Sequence, residues 1–259
     1  MKNIKGKILI IVGAVIIAGA SAYVFRGQIR DYIFAWRKGP LPAETRNVSS
    51  TPVAATSTKF AGINLAVPFS SQAPYGDWSL PYEQACEETS ALLVDRFYKN
   101  EPLTPEIARD EILKIVDWEN KNFGFYEHTT ASETAEMIKG YFGYKRVDVE
   151  YDISIADIEA QIVAGRPVIA PFDGRELNNP YFHQPGPIYH MLVIKGITKD
   201  GKFITDDVGT KRGENYVYDA GVLYNAIHDA PAGGGNLTNI ELQKNIPTGR
   251  KAMIVVYPN

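Results

Sequence analysis

A chain of 259 residues, 45% of them hydrophobic, can bury one substantial core or carry a membrane segment plus one domain. Its formal charge of −3 is unevenly spread: residues 1–60 hold nine Lys or Arg against two acids, so the remainder sums to −10. An acidic folded part without a basic stripe argues against nucleic acid as a partner, and one cysteine excludes an internal disulfide and a cysteine-rich zinc site.

Lys2, Lys5 and Lys7 precede Ile8 to Phe25, eighteen residues without a charge. At about 1.5 Å per residue such a helix spans roughly 27 Å, the thickness of a bilayer core. Residues 1–7 therefore read as a short basic tail and 8–25 as a transmembrane anchor or signal segment. Ala20-Ser21-Ala22 has the form of a cleavage site, but Tyr23-Val24-Phe25 extend the apolar run and favour an uncleaved anchor. The expected location is the cell membrane with the domain outside the cytoplasm, or secretion if the chain is cut after Ala22. Residues 26–62, rich in Pro, Ala, Ser and Thr toward their end, read as a juxtamembrane segment and flexible linker. The folded domain is expected over 63–259.

Ile63–Val67 is a short expected strand, followed by a loop and a helix from Cys86 to about Tyr98. Thr104 caps a helix with Pro105 at its first position, running to about Trp118, and Thr130 with Glu133 forms a capping box for a helix to about Tyr141. A strand at 145–150 and a helix from Ser154 to Gly165 come next. Strands are then expected at 167–171, 189–198, 202–205, 215–218 and 252–257, with a short helix at 220–228. Helices first and antiparallel strands afterwards make an α+β domain. The long stretch from Asp229 to Arg250, with its glycines, is expected to be a flap over the site.

The lone Cys86 opens a helix, where the dipole and unpaired N–H groups favour thiolate. A small buried hydrophobe is the bland alternative, and the adjacent Glu83, Glu87 and Glu88 oppose ionisation, so a nucleophile here needs a histidine. His128, His183 and His228 read as surface or capping residues. His190 differs because it begins the apolar run Met191-Leu192-Val193-Ile194, the mark of a central strand. The turn Thr198-Lys199-Asp200-Gly201 returns the chain antiparallel, pairing Ile197 with Lys202 and placing Gly209 opposite His190. Asp207 is then diagonal to His190 on the same face, with Asp206 on the other; a bulge would exchange the two. Cysteine, histidine and acid supply a nucleophile, a base and an orienter.

Val67-Pro68-Phe69, Ser71-Gln72-Ala73-Pro74, Trp78 and Ala85-Cys86-Glu87-Glu88 resemble the bacterial peptidase family related to bacteriocin-leader (double-glycine) processing enzymes, in the papain-like clan. Gly165-Arg166-Pro167-Val168-Ile169, Asn179-Pro180, the segment from Gly186 to Ile194 and that from Phe203 to Thr210 resemble its remaining motifs. The resemblance implies a papain-like cysteine proteinase fold with Cys86 as nucleophile, His190 as base and acid, and Asp207 as orienter. It also implies a glutamine donating to the oxyanion: Gln72 is assigned, with Gln84 as runner-up, since Leu80 occupies the position six before the cysteine. No ATP-binding motif accompanies the domain, and no cofactor or metal is expected because no His-Glu-x-x-His spacing occurs. The expected function is a membrane-tethered cysteine peptidase or amidase acting on a peptide or protein, cell-wall peptide included. The alternative is an idle domain that binds such peptides. Tyr181, Phe182 and Tyr189 are expected to line the groove.

Overall fold

The structure, a computed structural model, describes residues 40–46, 61–232 and 234–259, together with Phe25, Arg26, Gln28 and Tyr32, which are helical. The chain divides into two compact units, Met1–Leu41 and Pro42–Asn259. The expected membrane segment lies outside the described residues except for Phe25, as does most of the linker. Among the described residues no helix is long and apolar enough to cross a membrane.

The second unit is a mixed α+β fold. Its strands are β1 (Glu44–Thr45), β2 (Ile63–Leu65), β3 (Val147–Tyr151), β4 (Val168–Asp173), β5 (Tyr189–Ile197), β6 (Phe203–Asp206), β7 (Tyr216–Tyr218) and β8 (Ala252–Val256). They form one sheet in the order β1-β2-β5-β4-β8-β3, with β6 pairing β5 and β7 pairing β6. All these pairings are antiparallel except β1 with β2. The helices are α1 (Cys86–Lys99), α2 (Pro105–Asn122), α3 (Ala131–Phe142), α4 (Ile155–Val163), α5 (Ala220–Ala226) and α6 (Asn239–Asn245). α1 packs on β5 and is flanked by α2 and α3, so Cys86 through Asp95 are all buried.

Local chemistry sets the helix starts. Thr104 Oγ1 accepts from the Ile107 N–H with Pro105 at the first helical position, and Thr130 with Glu133 closes a capping box. Ser154 with Asp157 does the same for α4, which stops before Gly165 at φ +78. α2 runs past the expected Trp118 to Asn122 because Glu119 is buried and keeps that turn against the domain. Residues 229–250, expected as a flap, include α6, opened by a capping box of Thr238 and Glu241 and anchored by buried Leu242.

The β5–β6 hairpin departs from the expected register twice. Ile197 pairs with Phe203 instead of Lys202, and a bulge between Ile194 and Gly196 then absorbs one residue, so Val193 meets Asp206. The two shifts cancel. Carried past the end of β6, the register again sets Gly209 against His190, where a Cβ would lie 2.8 Å from His190 Cε1.

The bulged residue is Lys195, fully buried. Its Nζ donates to Glu44 Oε1 at 2.9 Å and lies 3.5 Å from Asp206 Oδ2. Glu44 thus ties the β1 segment, read from sequence as linker, to the centre of the sheet. Burial outweighs Lys195 and the Asn215 N–H and raises Asp206 from 3.8 to about 6. A carboxyl raised in the fold contributes stability that is complete below its unfolded value and lost as pH climbs through the folded one. The loss across 3.8 to about 6 is on the order of 3 kcal/mol. Asp206→Asn should therefore gain on the wild type by about that amount between pH 3.5 and pH 7 in urea unfolding. A pH-independent difference would contradict this account of Asp206.

Candidate active site

Asp207 leaves the end of β6 with its N–H donating to the Gly213 carbonyl at 3.0 Å. Its carboxylate is fully buried and accepts four hydrogen bonds. His190 Nε2 and the Gly209 N–H reach Oδ1 at 2.9 and 3.1 Å, and Asn179 Nδ2 and Tyr218 OH reach Oδ2 at 2.9 and 2.6 Å. Burial raises this carboxyl, but the His190 charge and the hydrogen bonds from His190, Tyr218 and Asn179 prevail and hold it below the usual carboxylate range. An ionised acceptor fixes the tautomer: Nε2 carries the proton that faces Asp207, and Nδ1 is left free to act. Asp206, by contrast, is turned to Lys195 and the Asn215 N–H.

The His190 ring is 1% exposed and clamped on several sides. Phe182 meets it edge-on at 5.4 Å, Gly209 lies against Cε1, and a Cβ at Gly174 would stand 3.2 Å from its Cβ. Each glycine is there for close approach.

Cys86 begins α1 after a 3-10 turn, Tyr82–Gln84, with Ala85 as an N-cap that supplies no side-chain acceptor. Among the influences on ionisation of the sulfur, the backbone N–H of Met191, the residue after His190, favours the thiolate but is the weakest. One helical turn on, Ser90 Oγ donates to the Met191 carbonyl at 3.2 Å. Strand pairing by β6 reaches only to Val193, and the Met191 carbonyl takes the Ser90 hydroxyl of α1. No hydrogen bond joins Cys86 to His190. The S–H donates instead to Glu87 Oε2 at 3.0 Å. Burial, then the charge and hydrogen bond of Glu87 and the charge of Glu88, push the thiol well above its ordinary value, against the Met191 N–H.

Gln72 Nε2 donates to the carbonyls of Tyr82 and Glu83, both at 2.9 Å, and its own N–H bonds the Val208 carbonyl. Both amide hydrogens are thus committed to the turn that delivers Cys86. Gln84 is half-buried in that turn.

Among the other residues considered, His128 is buried rather than at the surface. It packs edge-on to Tyr189, and burial lowers its pKa. His183 is exposed, and His228 Nδ1 bonds the Gly249 carbonyl. Tyr189 does not line an open groove: it is 3% exposed, and its OH donates to the Thr129 carbonyl and lies near Asp229. Phe182 is buried against His190, and Tyr181 is half-buried.

Sequence reasoning did not identify Tyr218 or the Ser90–Met191 contact. A tyrosine on the strand beside the Asp207 segment was the available signal for the first. The second depends on where β6 ends.

The model of the Peptidase_C39 like family matches residues 64–229. Among solved structures, a protein from Bacillus anthracis described as a C39-like peptidase is similar at 13% identity with a TM-score of 0.41, covering 74% of this chain and 95% of that one. A fragment of prointerpain A from Prevotella intermedia is similar at 12% identity with a TM-score of 0.36, covering 58% of this chain and 41% of that one, so the match spans less than half of its length. No curated protein matches.

Tyr218→Phe should remove one donor from a buried carboxylate and cost about 1–3 kcal/mol at pH 7. Because Asp207 is held below 3.8, its contribution is present above that pH and lost as pH falls through the lower folded value. The deficit of the variant in urea unfolding should therefore shrink below pH 3.5. A variant as stable as the wild type at pH 7 would contradict the assignment.

Proposed function

The chain belongs to the Peptidase_C39 like family, and from that premise we propose that it is a cysteine peptidase or amidase with Cys86 as nucleophile, His190 as general base and acid, and Asp207 as orienter. The observation that supports this is His190 at the start of β5, held by the buried Asp207 carboxylate, on the residue before Met191, whose carbonyl takes the Ser90 hydroxyl one turn into the Cys86 helix.

In the proposed reaction the Cys86 S–H leaves Glu87 and its proton passes to His190 Nδ1. The thiolate attacks the carbonyl carbon of a peptide bond, and the oxyanion forms beside the uncapped first-turn amide of Cys86. The C–N bond then breaks as Nδ1 returns the proton to the leaving amine. Water, deprotonated by Nδ1, hydrolyses the thioester. Asp207 keeps the proton on Nε2 and stabilises the imidazolium in each half. Gln72 is assigned a positioning role in the resting state, and it could serve the oxyanion only after releasing the carbonyls of Tyr82 and Glu83. The proposed fold is papain-like. The substrate is a peptide or protein, with cell-wall stem peptide in that class.

The uncharged run Ile8–Phe25 supports a membrane-tethered enzyme with its domain outside the cytoplasm. A second reading, a non-catalytic domain that binds peptide in the same cleft, is favoured by the elevated thiol.

Membranes from cells expressing the full chain should hydrolyse members of a peptide library and accept a thiol-directed peptidyl probe. Cys86→Ala should abolish both, and His190→Ala should slow turnover by roughly 10²–10⁴. Activity should sediment with the membrane and become soluble when residues 1–41 are removed, which leaves β1 in the domain. A wild-type protein that binds peptide but shows neither turnover nor labelling would leave the binding reading in its place.

A further inference from the structure

Cys86 and Glu87 are successive residues at the first turn of α1, and their side chains meet at 3.0 Å between Sγ and Oε2. Adjacent helical residues normally diverge, so this contact uses a particular rotamer pair. The carboxyl is completely buried, and Oε1 has no hydrogen-bond partner. The second carboxyl, Glu88, is also completely buried, facing the Glu119 carboxyl.

The ionisable groups that face Glu87 come from four elements. They are Cys86 and Glu88 on α1, Glu119 on α2, Tyr126 and Glu127 in the segment before α3, and Tyr189 on β5. All are acids, phenols or the thiol itself. A proton held among such groups has no cation to compete with it.

Resting on the peptidase reading above, we propose that Glu87 holds Cys86 in the thiol form in the unliganded protein, so that the nucleophile becomes competent only when its S–H is drawn from Oε2 to His190 Nδ1. The step balances simply: the S–H bond breaks together with its hydrogen bond to Oε2, the sulfur keeps the electron pair, and the proton forms an N–H bond at Nδ1. The S–H donates to Oε2, so Glu87 is the acceptor; burial and the neighbouring Glu88 raise this carboxyl well above the usual range, and the thiol proton opposes that rise where no cation does. A thiol held in this way is protected from alkylating and oxidising reagents, since the thiolate is the reactive form.

The test reads the sulfur directly and needs no substrate. Cys86 is the only cysteine, so alkylation by iodoacetamide reports on it alone. In the wild-type full chain the pH dependence of the alkylation rate should titrate above the free-cysteine value of about 8.5. Glu87→Gln keeps the shape, removes the charge and offers an amide N–H to the sulfur. It should raise the alkylation rate at pH 7 by about tenfold or more, the equivalent of one pKa unit in the thiol. Glu87→Asp should keep the slow rate if its carboxyl still reaches.

An unchanged or slower rate in folded Glu87→Gln would overturn the proposal. If that variant does not fold, a wild-type thiol titrating below about 8.5 would do the same. Failure here with peptide turnover intact removes only the role of Glu87. Faster alkylation in Glu87→Gln, in a protein that hydrolyses no peptide, removes the peptidase reading instead.

Discussion

The arrangement of this domain depends on α1 being seated on one residue of β5. Met191 takes a hydrogen bond from Ser90 on its carbonyl, so a side chain one turn into α1 holds the strand where β6 has already ended. A buried peptide group without partners is costly, and the helix removes that cost here. The same contact fixes which end of α1 lies beside His190. Apolar burial holds the helix in the core, but this polar contact sets its position along the strand.

Two carboxylates in the same centre meet opposite conditions. Asp207 collects four donors and stays ionised at full burial. Glu87 receives the thiol and little else, and its carboxyl is raised. Hydrogen-bond supply decides the difference, because both are equally removed from water. Asp207 can therefore direct a histidine, while Glu87 restrains a sulfur. Lys195 and Asp206 make a third buried arrangement on the other side of the hairpin, and there Glu44 carries the chain entering the domain into the sheet.

Much of this architecture was legible in the sequence where local chemistry fixes it. Thr104, Thr130 and Ser154 announced their helices because capping is a short-range effect, and the apolar run after His190 marked the central strand. The pairing of Asp207 with His190 was reached through a register that omitted two features, a loop longer by one residue and a bulge at Lys195, which compensate. Features set by tertiary contact were not legible. Glu44 sits in linker-like composition, yet its partner lies 151 residues away. Gln72 looks free to serve an oxyanion until its N–H groups are found on the carbonyls of Tyr82 and Glu83. Glu87 reads as an obstacle to ionisation in the sequence, but only the structure makes it the direct partner of the sulfur.

The central proposal is that Asp207 fixes a proton on His190 Nε2 and leaves Nδ1 to serve the Cys86 sulfur. Nitrogen-15 spectra of the histidine rings at neutral pH test it most directly. The account predicts a protonated Nε2 whose resonance moves in Asp207→Asn, and an Nδ1 resonance that moves in Cys86→Ala. An Nδ1 resonance indifferent to Cys86→Ala, in a variant that keeps its fold, would contradict it.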